Sequence, residues 1–118
     1  MSTALVLLDI QRGILASDAI KFENPETPRA LLAAAGAMLK AARAAGILVV
    51  HVGVARPPKR GAFDESRTAM AKKSGKVPRD MLALAAGSPE VEFLLDVAAE
   101  EERIYKIGVS AFEGTRLD

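Results

Sequence analysis

The chain has 118 residues, 16 of them basic and 15 acidic, and its formal net charge of +1 offers no long-range field to a nucleic acid or an anionic membrane, so neither is expected as a partner. It contains no cysteine, which removes disulfides, zinc–thiolate sites and a cysteine nucleophile from these residues. Half the residues are hydrophobic and only 4% aromatic, so the core of one domain, or part of one, is expected to be Ala, Leu, Val and Ile.

The first apolar run, Ala4-Leu5-Val6-Leu7-Leu8, ends in Asp9. It is too short for the apolar region of a signal peptide or for a bilayer span, and a cytoplasmic protein is expected. Without alternation, it predicts a strand buried on both faces, the habit of parallel sheets. Asn24-Pro25-Glu26-Thr27-Pro28 reads as a turn into a helix, with Thr27 as N-cap and Pro28 as first helical residue, where its missing N–H costs nothing. Leu31, Ala35, Met38, Leu39 and Ala42 then recur at helical spacing, with Arg29, Lys40 and Arg43 off that stripe, and Gly46 is the expected C-cap. Residues 47–54 (ILVVHVGV) form a second run of buried-strand character. Strand, helix and strand with short connections make a βαβ unit, whose crossover should be right-handed.

Residues 55–80 change character: Pro57, Pro58, Gly61, Gly75 and Pro78 punctuate a basic stretch. They predict mostly loop, with a short helix at 66–71, and a solvated surface excursion is favoured over a lid or basic subunit contact. Ser88-Pro89-Glu90 repeats the helix-start signature and predicts one or two turns through Val91, Leu94, Leu95 and Val97. Residues 100–102 read as an exposed acidic corner before a third strand at 103–107 (RIYKI), with Lys106 near its end. Residues 114–118 resemble the start of a helix capped by Thr115. One turn of helix is not stable by itself, and three parallel strands leave an unpaired edge. Residues 1–118 are therefore read as the N-terminal portion of a single domain, expected to fold poorly and catalyse nothing unless the rest of the sheet is supplied.

Two residues stand where chemistry is expected. In open α/β sheets ligands bind at the carboxyl ends of the strands, where Asp9 and Lys106 both fall. A carboxylate directly after five apolar residues is costly unless paired, and the two groups converge if their strands are neighbours. Each also has a structural reading, since a strand-end Asp can cap a turn and a strand lysine can snorkel to solvent. His51, the single histidine, lies mid-strand and reads as a buried, hydrogen-bonded core residue rather than a ligand.

The stretch from Lys106 through Ser110-Ala111-Phe112 and Gly114-Thr115 to Leu117, together with the apolar run ending Asp9-Ile10-Gln11, resembles the isochorismatase-like cysteine hydrolases. That superfamily includes isochorismatases, nicotinamidases and N-carbamoyl amide hydrolases. The resemblance implies a Rossmann-like three-layer α/β fold, a parallel sheet flanked by helices and incomplete in this chain. It also implies a Cys–Asp–Lys set in which Asp9 accepts the thiol proton and Lys106 stabilises the thiolate and the developing negative charge. Gln11 and Phe112 would lie at the crevice rim as substrate contacts, the alternatives being a turn-capping amide and a core aromatic. The family's cysteine lies beyond the Gly-Thr-x-Leu element, outside these residues. Ser110 is no substitute, because no histidine is placed by motif to act as its base.

No metal or cofactor is expected, since a metal-dependent nicotinamidase site would want an Asp and further histidines after the second strand. The implied function is hydrolysis of a small-molecule amide or other C–N bond, or of a vinyl-ether C–O bond. The implied partners are the small-molecule substrate and either further copies of the chain in a homo-oligomer or a complementing C-terminal segment. The alternative is a non-catalytic, truncated member acting as a binding or oligomer-forming module. A phosphoacceptor receiver domain is set aside: it needs paired acids after the first strand and an Asp after a central one, where this chain has Val54-Ala55-Arg56.

Overall fold

The structure is a computed structural model that describes residues 2–17, 21–55, 84, 86–106, 110–112 and 115–117. All but the first residue of the basic stretch at 55–80, including the helix expected at 66–71, lies outside them. In chain order the elements are β1 (Ala4–Leu8), α1 (Arg12–Leu15), α2 (Thr27–Ala44), β2 (Leu48–Val54), a single 3₁₀ turn at Pro89–Val91, and β3 (Glu102–Lys106). Both strand pairs are parallel in the order β1-β2-β3, with Leu8 opposite Val52 and Val54 opposite Lys106. This is the α/β architecture expected, with flanking helices on a parallel sheet.

Burial on two faces holds for β2, which is buried from Val49 to Val54. It fails for β1, where Leu7 is buried but Val6 is 37% and Leu8 49% exposed. The reason is position: among the described residues β1 pairs on one side only, and α2 covers the face carrying Leu5 and Leu7. That face packs Leu7, Ile10 and Val49 against Ala35, Leu39 and Ala42 of the helix. Across the sheet, Val50, Val52 and Ile104 meet Ala111 and Leu117.

Helix α2 starts one residue earlier than expected, with Glu26 at the N-cap and Pro28 in the first turn. Asn24 Oδ1 accepts the Glu26 N–H at 2.9 Å, so the turn's own side chain ties down the approach to the helix. The buried stripe is also rotated: Ala35, Leu39 and Ala42 are inside, Leu32 packs beside them, and Leu31 and Met38 face outward. Small side chains at 35 and 42 let the helix approach the sheet, which the larger Leu31 and Met38 would prevent. At the far end Ala45 is the C-cap and Gly46 follows it with φ of 69°. The Gly46 N–H bonds Arg43 O at 3.2 Å and the Ile47 N–H bonds Ala42 O at 2.9 Å, the paired closure that a left-handed residue allows.

The helix expected after Ser88 stops after one 3₁₀ turn. Residues 92–94 instead run antiparallel beside 10–12, with the Arg12 N–H on Glu92 O and the Leu94 N–H on Ile10 O, both at 2.9 Å. Backbone groups that a helix would have used internally find partners in the β1–α1 connection, so tertiary pairing overrides the local signal. Strand β3 begins one residue earlier than expected, at Glu102, and residue 107, the expected last residue, lies outside the described residues.

The acidic corner is not uniformly exposed either. Only 5% of the Glu101 side chain is accessible. Its Oε1 accepts from Arg43 Nη2 at 2.7 Å and from the Ala98 N–H at 3.0 Å, and lies 3.1 Å from His51 Nε2. Its Oε2 accepts from Arg43 Nε at 2.8 Å. His51 is thus buried and hydrogen-bonded, and Arg43 joins α2 to the entry of β3. The Arg43 hydrogen bonds, set against the cost of burial, hold the Glu101 carboxyl down from 4.5 to about 2, and the Arg43 guanidinium is pushed up in return. A carboxyl with a lowered folded value stabilises the fold fully above its unfolded value and loses that contribution as pH falls through the folded one. We expect the Glu101 contribution to be intact above pH 4.5 and to disappear between 4.5 and about 2. Urea midpoints measured across that range should fall more steeply for the native protein than for Glu101→Gln. Parallel curves would show that the pair does not govern this limb.

Candidate functional site

Asp9 follows β1 directly, and its N–H donates to Val52 O at 2.8 Å, adding one step to the sheet ladder. Its φ of 60° then turns the chain away from the sheet. The left-handed region is costly for most residues, but Asp is among those that tolerate it. Lys106 ends β3, and the two strands are not neighbours: β2 lies between them. The length of the lysine side chain closes that gap, and Lys106 Nζ donates to Asp9 Oδ2 at 3.2 Å. The Lys106 side chain is 9% accessible and that of Asp9 35%, so the pair is partly shielded from water and opens on the carboxyl end of the sheet. The other oxygen, Asp9 Oδ1, is buried and has no hydrogen-bond partner among the described residues. Burying an unpaired carboxylate oxygen is costly, and sites where it happens are candidates for chemistry.

Gln11 is not at a rim; it is fully buried. Its Nε2 donates to Val54 O at 3.0 Å and to Val91 O at 2.9 Å, and its Oε1 accepts the Val54 N–H at 2.8 Å. Phe112, by contrast, is 62% exposed, with its N–H on Ser110 Oγ at 3.2 Å. The aromatic that does pack is Phe93, whose ring lies 5.6 Å from His51 and 5.5 Å from Tyr105. Near the end of the chain Thr115 Oγ1 accepts the Leu117 N–H at 3.3 Å, a local turn contact; residues 115–117 are not helical, so the helix start expected there is not seen among the described residues. The structure therefore joins Asp9 with Lys106, buries Gln11 against Val54 and Val91, and leaves Phe112 on the surface.

Two glycines sit where a side chain would not fit. A Cβ on Gly53 would lie 2.5 Å from Gln11 Nε2, and one on Gly13 would lie 2.8 Å from Glu90 Cβ. Isolated Gly in a strand run can mark such a close approach, which is the one signal that was present at Gly53. A separate open cleft of about 500 Å³ borders Phe93, Arg103 and Tyr105, away from the Asp9–Lys106 pair. Among the described residues, no group of three or more His, Cys, Asp or Glu could hold a metal ion, and no helix is long and apolar enough to cross a membrane.

No curated protein matches the chain. Among solved structures, an isochorismatase family protein from Desulfovibrio vulgaris subsp. vulgaris str. Hildenborough is 27% identical with a TM-score of 0.67, over 95% of this chain and 56% of that one. Pyrazinamidase of Pyrococcus horikoshii, solved in complex with zinc, is 19% identical with a TM-score of 0.59, over 95% of this chain and 59% of that one, and shows a shared fold. The chain thus spans less than two thirds of the length of either structure. The family model for the isochorismatase domain matches residues 3–118, and with the parallel sheet and its flanking helices this establishes that the chain belongs to the isochorismatase family.

Proposed function

We propose that these residues carry the acid and the lysine of a cysteine hydrolase acting on a small-molecule amide or other C–N bond, or on a vinyl-ether C–O bond. In this reading residues 1–118 are the N-terminal portion of one domain, and the cysteine comes from residues outside this chain. The observation that carries it is the 3.2 Å contact between Lys106 Nζ and Asp9 Oδ2 at the carboxyl ends of the strands. Asp9 has one oxygen on the lysine and, among the described residues, no hydrogen-bond partner on the other, which supports its reading as a base. Asp9 Oδ1 takes the thiol proton, and the Lys106 cation lowers the cost of the thiolate. At an amide or other C–N bond the thiolate attacks the electrophilic carbon, and Asp9 returns the proton to the departing nitrogen. A water, deprotonated by Asp9, then cleaves the covalent intermediate and regenerates the thiol. A cytoplasmic location and the absence of nucleic-acid and membrane partners belong to the same reading, in keeping with the formal charge of +1.

The test lies in the protein that contains these residues. Its chain should continue past Asp118 with an apolar strand, a Gly-rich turn and a cysteine opening a helix. Alkylation of that cysteine by iodoacetamide should abolish turnover. A continuation without cysteine, or turnover that survives alkylation, would sink the reading. A second reading, a non-catalytic module that binds or forms oligomers, draws on the exposed apolar side chains of Val6 and Leu8 on β1.

A further inference from the structure

We infer that Gln11 is a positioning residue for Asp9, and that Gly53 is the place in β2 that makes room for it. The kinetic consequence rests on the cysteine-hydrolase reading; the structural one does not.

The argument starts from the sheet. Backbone groups of successive strand residues point to alternate sides, so Val52 and Val54 direct their N–H and C=O toward β1, while Ala55 bonds Lys106 O on the other side. β1 leaves the sheet at Asp9, which takes its partner from Val52 and then turns through a φ of 60°. Without a replacement, both polar groups of Val54 would be buried and unpaired on that side, which is costly. The Gln11 side-chain amide supplies the replacement, donating to Val54 O and accepting from Val54 N. A side-chain amide has the same donor–acceptor pair as a peptide group, so Gln11 stands in for the strand residue that Asp9 diverted.

The connection 9–11 is therefore pinned to β2 at both ends, by the Asp9 N–H on Val52 and by the Gln11 amide on Val54. The second Gln11 amide proton is spent on Val91 O, and the Gln11 backbone bridges to Phe93, which adds a third anchor. Only between such anchors does a left-handed Asp keep its carboxylate facing Lys106. Both Gln11 donors are committed to the protein, which leaves none for a substrate. Gly53 completes the device, because any Cβ there would overlap the Gln11 amide.

The test uses the complete protein with Gln11→Ala and, separately, Gly53→Ala, which displaces the amide without removing it. Hydrogen exchange read by NMR should show the Asp9 and Val54 amides protected in the native protein. In each variant that protection should drop by about tenfold or more, while the amides of Val50 and His51 keep theirs. With benzamide as the probe substrate and ammonia release as the readout, kcat should fall on the order of a hundredfold, the scale of a small misplacement of a reacting group, with KM unchanged. Unchanged protection at Asp9 in Gln11→Ala would overturn the inference. So would a raised KM at constant kcat, the signature of a substrate contact. Asp9→Asn that still turns over benzamide would defeat the hydrolase reading instead, and the exchange data would then decide the positioning role alone.

Discussion

On the proposed hydrolase reading, Asp9→Asn and Lys106→Ala, each made in the complete protein, are expected to lower kcat/KM by about 10²–10⁴-fold, the range that positioned proton transfer supplies. Asn keeps the shape of the side chain and an oxygen for Lys106, but it has no basic lone pair to take a thiol proton. Lys106→Ala leaves the base and removes the cation that stabilises the thiolate, so it should also slow alkylation of the cysteine at neutral pH. The two changes act on one contact of 3.2 Å, so the double variant should be little worse than the poorer single one. Far-ultraviolet circular dichroism should show the fold retained in each. Native turnover in either single variant would remove its residue from the proposed mechanism.

The largest expected loss of stability lies on the other side of the molecule. Glu101→Ala strands Arg43, His51 and the Ala98 N–H together, since all of them direct hydrogen bonds at one carboxylate or lie against it. Removing one member of a buried ionic set leaves the others desolvated and unpaired, at a cost of about 3–5 kcal/mol. The lower end of that range applies here, because Arg43 keeps 31% of its side chain accessible and has Asp96 as a second partner. Urea unfolding should therefore report a loss of about 3 kcal/mol for Glu101→Ala. Arg43→Ala, which empties the opposite end of the same contact, should also lower the urea midpoint. A loss under about 1 kcal/mol would assign the pair to the weak surface class and leave apolar packing to join α2 to β3.

Much of the scaffold was legible from local rules. The unbroken run before Asp9 and the run at 47–54 became β1 and β2, because length and lack of alternation suit strands in a parallel sheet. Gly46 closed α2 because only a residue free to take positive φ ends a helix in that way at low cost. Asp9 and Lys106 were visible as strand-end groups, but not the reach of the lysine across β2, since strand order is not written in any local pattern. Glu101 carried the opposite lesson. Among its acidic neighbours it reads as solvated, and it is buried because Arg43, 58 residues earlier, pairs with it beside His51 and the Ala98 N–H.

What the sequence determined by itself was short-range: the element types, the turn and cap chemistry, and the two motifs that resemble one enzyme family. These follow from backbone sterics and side-chain spacing, which act over a few residues and need no partner from elsewhere. Tertiary structure alone decided which face of α2 packs, that the chain at 92–94 abandons its helix, and that Gln11 goes inside. Each of these depends on pairing between distant segments, 43 residues apart for Gln11 with Val54 and 97 for Asp9 with Lys106. A polar side chain is buried only where a partner offsets its desolvation, and that partner is present only once the chain has folded around it.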